Sequence, residues 1–482
     1  MFALVAGAIA ASRGFDGLYG QDAYAYFDYS IGSVRQSIAH LQPLEPFFWP
    51  PGYPLFVAVT SLITGSTPLA GQLVSLVAGA LVPVFTVLLV HELWPEDWQL
   101  AALVGAIVAM CGQLWQSSVV VMADTTGLAL ATFSAFALVR YANGGRGAWL
   151  IAAAAAIAYA TLARWIYGIV ALPFVVYTLR IFYRRPRLPT EALASVVVSL
   201  LILVPVVGPP LIGLISRPGE PAPFAGNFQV YSWSPVNALR HDFFTADGHL
   251  QYTQPNGVYY AIAPFNLAFF GPLLAVWILV GLWAARGWPR RKGLLIVGWA
   301  AIVYAFHAGA PWQNFRFALA YLPPLAILAA AGVLYAWRRI AYPLRLAVAV
   351  CAAVGLLVSS LAAARLVERF IDTKDQELAL VHGVTAQTPP DAQLLTFGPT
   401  LAFRHYSNLP TFDLFDLSPA ALDAVVQQRG DLYVLVDQAS LKGQWLDQTP
   451  WINFVRVRDG PGLTPIGELE TYTLFRVNPG SP

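Results

Sequence analysis

Four residues in this chain have the type and the setting to do chemistry. Asp22 sits in the stretch Gly20-Gln-Asp-Ala-Tyr-Ala-Tyr-Phe-Asp-Tyr29. Asp124 sits in Val119-Val-Val-Met-Ala-Asp-Thr-Thr-Gly-Leu128, between two apolar runs. A carboxylate placed beside a hydroxyl can take its proton. At the start of a helix, either aspartate could equally serve as a cap. Arg164 lies in Leu162-Ala-Arg-Trp-Ile-Tyr-Gly168, at the end of an apolar run. An ionisable group so close to hydrocarbon needs a partner. For Arg164 that partner is either Asp124 or a phosphate. Arg316 lies in the stretch His307 to Phe317, which also contains Trp312, Gln313 and Asn314. Its guanidinium either reaches lipid headgroups or grips the phosphate of a lipid-linked substrate, for which a planar fork is suited.

These residues need elements to hold them. Around Asp22, the residues Ala23, Phe27, Ile31, Val34 and Ile38 recur at helical spacing, with Arg35 and Gln36 off the stripe. That pattern predicts an amphipathic helix lying on a membrane surface. Next comes Phe47-Phe-Trp-Pro-Pro-Gly-Tyr-Pro-Leu-Phe56, a rigid aromatic turn leading into a short helix at Pro54–Gly65. The segment 216–263 carries Asn227, Arg240, His241, Asp242, His249, Tyr252 and Tyr259, and none of its spacings identifies chemistry.

Composition sets the class. Of 482 residues, 57% are hydrophobic and 11% charged, whereas soluble domains carry roughly 25% charged residues. The chain therefore reads as a polytopic helical membrane protein. Apolar runs at 1–12, 68–93, 99–121, 125–142, 148–168, 166–183, 191–215, 264–285, 293–310, 317–337 and 344–364 predict eleven crossings, two of them sharing a turn near Gly168. Basic loops fall at Arg140/Arg146, at Arg180, Arg184, Arg185 and Arg187, at Arg286, Arg290, Arg291 and Lys292, and at Arg338, Arg339 and Arg345. Placed on the cytoplasmic side, they put the N-terminus inside, and 13–67, 216–263 and the tail outside, in a plasma or inner membrane. Met1 lacks a basic n-region, so no cleavable signal peptide is expected.

The tail is a different kind of sequence. Residues 371–482 hold 13 acidic and 7 basic side chains, while residues 1–370 hold 13 and 21. We divide the chain into a membrane domain, 1–368, and a small α/β extracytoplasmic domain, 369–482. Strands are expected at Leu394–Phe397, Thr411–Phe415, Leu432–Val436, Phe454–Val457 and Tyr472–Val477, and a helix at Ser418–Gln428. The tail contains no nucleotide loop and no nucleophile motif. The net charge of +2 gives no reason to expect nucleic acid. Cys111 and Cys351 both lie in apolar runs. No His, Asp and Glu grouping has metal-ligand spacing, so a metal-independent reaction with no cofactor is expected.

In order, these features are an acid after the first span, an amphipathic surface helix, Pro-Pro-Gly-Tyr-Pro-Leu with a short helix, an acid opening the fourth span, and Arg-Phe-x-x-x-Tyr-Leu-Pro-Pro at 316–324. The chain so built resembles the membrane-embedded GT-C glycosyltransferases, near the bacterial relatives of protein O-mannosyltransferases and of the lipid A aminoarabinose transferase. The resemblance spans roughly 1–365. It implies a polyprenyl-phosphate-linked sugar as donor, transfer to a hydroxyl on the outer face, and inversion at the anomeric carbon. The acceptor is a protein, a lipid or a glycan. It further implies Asp22 as the catalytic carboxylate and Asp124 as a second one orienting acceptor or sugar. Arg164 and Arg316 become phosphate contacts, and Tyr26, Tyr53, His307 and Asn314 further substrate contacts. The sequence departs from the mannosyltransferases in having one acid rather than an adjacent pair, with Gln21 before Asp22 and Ala23 after it. It also lacks the first-loop lysine of the aminoarabinose enzymes. The alternatives are a transporter or flippase of lipid-linked saccharides, which expects broken spans in matching halves, and a non-catalytic scaffold.

Overall fold

The structure, a computed structural model, describes residues 2–183, 190–216, 224, 232–428 and 431–478. Arg184, Arg185, Arg187 and Asn227 lie outside the described residues. By its contacts the chain divides into two units. The first comprises Met1–Leu18, Tyr26–Arg240 and Gln254–Arg369, and the second Tyr19–Ala25, His241–Thr253 and Phe370–Pro482.

The first unit is helical. Among the described residues, five helices are long and apolar enough to cross a membrane: Leu69–Leu93, Thr190–Gly208, Arg290–Gly309, Phe315–Arg339 and Leu344–Gln387. The expected crossing at 99–121 is two helices, Trp98–Ala109 and Gly112–Val119, bent by 56° at the break. Counted as one span, they make a sixth. The bend falls where Cys111 takes an extended conformation, φ −71° and ψ 115°, which no helix interior accommodates. Ala148–Ala163 and Ile166–Phe182 have 16 and 17 residues. At 1.5 Å per residue each is about 24–26 Å long, short of a hydrocarbon core of about 30 Å. They do not part near Gly168, as hydropathy suggested. The chain breaks at Arg164, which is extended, and Gly168 lies inside the second helix.

Helix Asp124–Ala142 is the centre of this unit, buried on nearly every side. It packs against Leu69–Leu93 and Ala148–Ala163. Lipid tails are as apolar as leucine, so close approach of small residues drives such packing. Helices Gly271–Ala285 and Leu322–Arg339 show the limit of it. A Cβ at Gly281 would fall 1.9 Å from the Leu328 carbonyl oxygen, and one at Gly332 would fall 2.0 Å from that of Trp277.

The second unit contains a hairpin of strands β1 (Asp242–Thr245) and β2 (Gly248–Gln251). It also holds a five-stranded sheet built from β3 (Gln393–Thr396), β4 (Thr411–Asp413), β5 (Leu432–Val436), β6 (Leu463–Leu469) and β7 (Tyr472–Val477), in the order β4-β3-β5-β7-β6. β3 runs parallel to β4 and β5, and β7 antiparallel to β5 and β6. β5, buried along its whole length, reads as an unbroken apolar run. Leu395, Val434, Phe454 and Phe475 share its core. The Ser418 hydroxyl accepts from the Ala421 amide at 3.3 Å and opens helix Pro419–Gln427.

The run Phe454–Val457, expected as a strand, is helical within Thr449–Asp459. The buried residues Pro450, Asn453, Phe454 and Val457 fall at helical spacing. The polar Asn453 hides that period in the sequence. It is buried because its amide donates to the carbonyls of Leu414 and Leu417, each at 2.8 Å. Strand β6 escaped the sequence reading because it contains Pro465 and a register shift between Pro465 and Gly467. An edge strand tolerates both.

Candidate functional site

The site in the first unit begins with a helix end. Leu162 and Ala163 finish helix Ala148–Ala163, and the turn Pro50-Pro51-Gly52 packs directly on them. A Cβ at Gly52 would lie 2.6 Å from the Leu162 carbonyl, so only glycine permits the approach. Tyr159 donates its hydroxyl to the Gly52 carbonyl at 3.0 Å and pins the same contact. The chain then swings out at Arg164 (φ −151°, ψ 125°) before Ile166 restarts the helix.

Asp124 is placed from the opposite side. The amide of Val121 donates to the Gly17 carbonyl at 2.9 Å. The Met122 carbonyl accepts from the Ser75 hydroxyl at 3.1 Å. Helix Asp124–Ala142 starts immediately afterwards. Arg316 sits in a 3-10 segment, Phe315–Tyr321, whose first turn is capped by the Asn314 side chain accepting from the Arg316 amide at 2.9 Å.

The three charged side chains converge. Arg164 Nη2 donates to Asp124 Oδ1 at 2.7 Å, and Arg316 Nε stands 3.7 Å from Asp124 Oδ2. The Asp124 side chain is 5% exposed and each arginine 19%. Both guanidiniums lie over the Phe317 ring, 5.7 Å and 5.5 Å from its centroid. A π face attracts a cation more strongly once water is excluded. These groups line a cavity of about 170 Å³, together with Tyr26, Trp49, Trp165, Trp233, Phe306 and His307. Two guanidiniums and one carboxylate give its wall a net positive charge. With one Asp124 oxygen held by Arg164, the carboxylate chiefly fixes the two cations.

Of the expected contacts, Tyr26 and His307 line this cavity. Tyr26 stacks on Trp49 with centroids 5.0 Å apart. His307 is buried and stacked against Tyr260 and Phe317 at 5.3 Å and 5.6 Å. Neither of its ring nitrogens has a hydrogen-bond partner among the described residues. Tyr53 is not part of the cavity wall. Its hydroxyl donates to the Gly71 carbonyl and meets the Ser75 hydroxyl, each at 3.0 Å, a fully buried link toward Met122. Asn314 is exposed and does the work of a cap. Asp22 belongs to the second unit, in the first turn of helix Gly20–Asp28.

The sequence reading passed over Phe317 as a cation platform and over Trp49, Trp165 and Trp233 as walls. The available signal was the density of aromatic residues in the segments assigned to one membrane face. Among the described residues, no three His, Cys, Asp or Glu side chains lie close enough to hold a metal ion.

Residues 49–208 match the family model described as dolichyl-phosphate-mannose-protein mannosyltransferase. The whole chain superposes on ArnT from Cupriavidus metallidurans bound to undecaprenyl phosphate, with a TM-score of 0.65 at 15% identity, covering 100% of this chain and 98% of that one. The chain has the GT-C fold. The GT-C resemblance drawn from the sequence is thus borne out. The apo form of the same ArnT matches at TM-score 0.62, also at 15% identity, over 99% of this chain and 98% of that one. The Archaeoglobus fulgidus oligosaccharyltransferase, in complex with Zn and sulfate, matches at 0.50 and 12% identity over 99% of this chain and 73% of that one. No curated protein matches this chain by sequence. The long apolar helices and this fold make it a membrane protein.

Proposed function

We propose that the protein is an inverting glycosyltransferase that moves a sugar from a polyprenyl-phosphate donor to an acceptor hydroxyl on the extracytoplasmic face. The observation that carries the reading is the pair Arg164 and Arg316, held by one carboxylate in a cavity walled by aromatic rings. A phosphodiester bears one negative charge, matching the cavity's excess positive charge. When the bond from the anomeric carbon to the phosphate oxygen breaks, the leaving phosphate gains a second negative charge. Fixed guanidiniums stabilise that gain more than they stabilise the ground state. The GT-C fold supports the reading. So do the undecaprenyl phosphate bound by ArnT and the lipid-phosphate sugar in the matched family's description.

In this reading Asp22 removes the acceptor proton as the acceptor oxygen attacks the anomeric carbon, and the sugar inverts. The Tyr26 and Trp49 rings offer apolar faces to the sugar, and His307 offers a hydrogen bond to one of its hydroxyls. The aromatic sugar platform and the arginine phosphate clamp need no metal ion. Eleven crossings, an inside N-terminus and an outside tail complete the proposal. They rest on the basic loops at Arg140/Arg146, Arg286–Lys292 and Arg338–Arg345.

The test is donor turnover by the purified full-length protein in nanodiscs, presented with a panel of polyprenyl-phosphate sugars. At least one is expected to be consumed, with or without a chelator. Asp22→Asn should lose transfer while still binding polyprenyl phosphate. Wild-type turnover by a well-folded Asp22→Asn protein would remove Asp22 from the mechanism.

A further inference from the structure

The second unit includes a short piece of chain from near the N-terminus, Tyr19–Ala25, which carries Asp22. Within that unit its anchor is Lys374, which is only 2% exposed. A lysine so buried is rare, and its charge is costly to desolvate. The Lys374 ammonium donates to the Tyr24 hydroxyl and, at 2.9 Å, to Glu377 Oε2. The Tyr24 hydroxyl donates to the same carboxylate oxygen at 3.0 Å. The ammonium also lies 4.8 Å from the Tyr24 ring centroid and 4.2 Å from that of Tyr406.

Around this triad the segment is held at further points. Gln21 donates its amide to the Gly398 carbonyl at 3.2 Å. The Tyr19 ring stands 3.7 Å from that of Phe370. Burial, with the Glu377 carboxylate second, raises the Tyr19 phenol above its ordinary pKa, and a hydrogen bond to Thr373 partly offsets this. Ala23 and Tyr24 are buried. The sheet does not need this charge, because its core is an apolar cluster around Leu395, Val434 and Phe475. What the triad touches, through Tyr24, is the helical turn that carries Asp22.

We propose that Lys374 is a positioning residue, holding the Asp22 turn in its reactive orientation through Tyr24. The appended domain would then be part of the transfer machinery. The inference rests on the reading of Asp22 as the base. A base must lie within hydrogen-bond reach of its proton, and a displacement of about 1 Å can cost on the order of 100-fold in rate.

The experiment uses full-length protein in nanodiscs with a polyprenyl-phosphate sugar that the wild type turns over. Lys374→Met with Glu377→Gln removes both charges and leaves neither orphaned. It should lower kcat at least tenfold with KM for the donor within twofold. Lys374→Arg should recover much of that loss. Tyr24→Phe, which keeps the packing, should lower kcat severalfold and keeps the test alive if the double variant does not fold. Hydrogen exchange should quicken at amides 20–25 in the double variant and in Tyr24→Phe, while β3, β5 and β7 stay protected. Wild-type kcat, unchanged exchange at 20–25, or deprotection of the whole sheet would each overturn the positioning role. Asp22→Asn is run in parallel. If it keeps full turnover, the reading of the base fails, and the exchange at 20–25 still decides whether Lys374 anchors the turn.

Discussion

Asp124 and Arg164 form a 2.7 Å ion pair between the first residue of one buried helix and the break that follows another. Tied to Arg164 and facing Arg316, the Asp124 carboxylate is flanked by two guanidiniums. Its effect is to hold two like charges close together beside the same Phe317 ring.

Replacing Asp124 by leucine should therefore destabilise the fold by about 1–3 kcal/mol, because it leaves two partly buried guanidiniums without their counter-charge. Asp124→Asn keeps the shape and one acceptor, so its cost in stability should be smaller, while transfer falls at least tenfold because the arginines lose their fixed geometry. Thermal unfolding and donor turnover of both variants check this. A leucine variant as stable as the wild type would refute it.

The crossing of Gly271–Ala285 with Leu322–Arg339 leaves no room for a methyl group at Gly281 or Gly332. Alanine at either should cost about 1–3 kcal/mol by forcing the helices apart. Gly293, with nothing within 4 Å of its would-be Cβ, is the control. There alanine should be neutral or raise stability by up to about 1 kcal/mol through helix propensity. Unfolding temperatures of the three single variants decide the matter.

Arg338 grips Asp97 with two hydrogen bonds, 2.7 Å and 2.9 Å long, and Asp97 also caps helix Trp98–Ala109. The Arg338 hydrogen bond, outweighing partial burial, lowers the Asp97 pKa below its ordinary value. The folded state thus favours the charged carboxylate. The stabilisation is complete above the unfolded pKa of about 4 and is lost as the pH falls through the lower, folded value. Because the pair is partly exposed, its size should be about 0.2–1 kcal/mol. Asp97→Asn should lower stability by that much at pH 7, and the gap to wild type should close as the pH drops below about 4. A pH-independent gap would show that the carboxylate charge is not its source.

What local sequence carries, local sequence revealed. Leu432–Val436 is a strand and Ser418 a cap because an apolar run and a hydroxyl before Pro419 act within a few residues. The membrane character is legible for the same reason, since transfer into hydrocarbon is a sum over neighbouring side chains. Asp124, Arg164 and Arg316 could each be singled out from an apolar flank. Phe454–Val457 misled because its partner for Asn453 lies in a distant turn, at Leu414 and Leu417.

The assembled chemistry is non-local. Nothing near residue 124 decides whether Arg164 meets its carboxylate or a phosphate. Gly52 against Leu162, and Ser75 against Met122, decide that by fixing two backbones that sequence distance separates widely. The same holds for Tyr53 and Asn314, since the Tyr53 hydroxyl donates to a carbonyl and the Asn314 Oδ1 caps a helix. It holds for Lys374 too, whose burial beside Tyr24 no tail motif announces. Residue type and period depend on neighbours in the chain, whereas a hydrogen-bond partner depends on neighbours in space, and only packing supplies those.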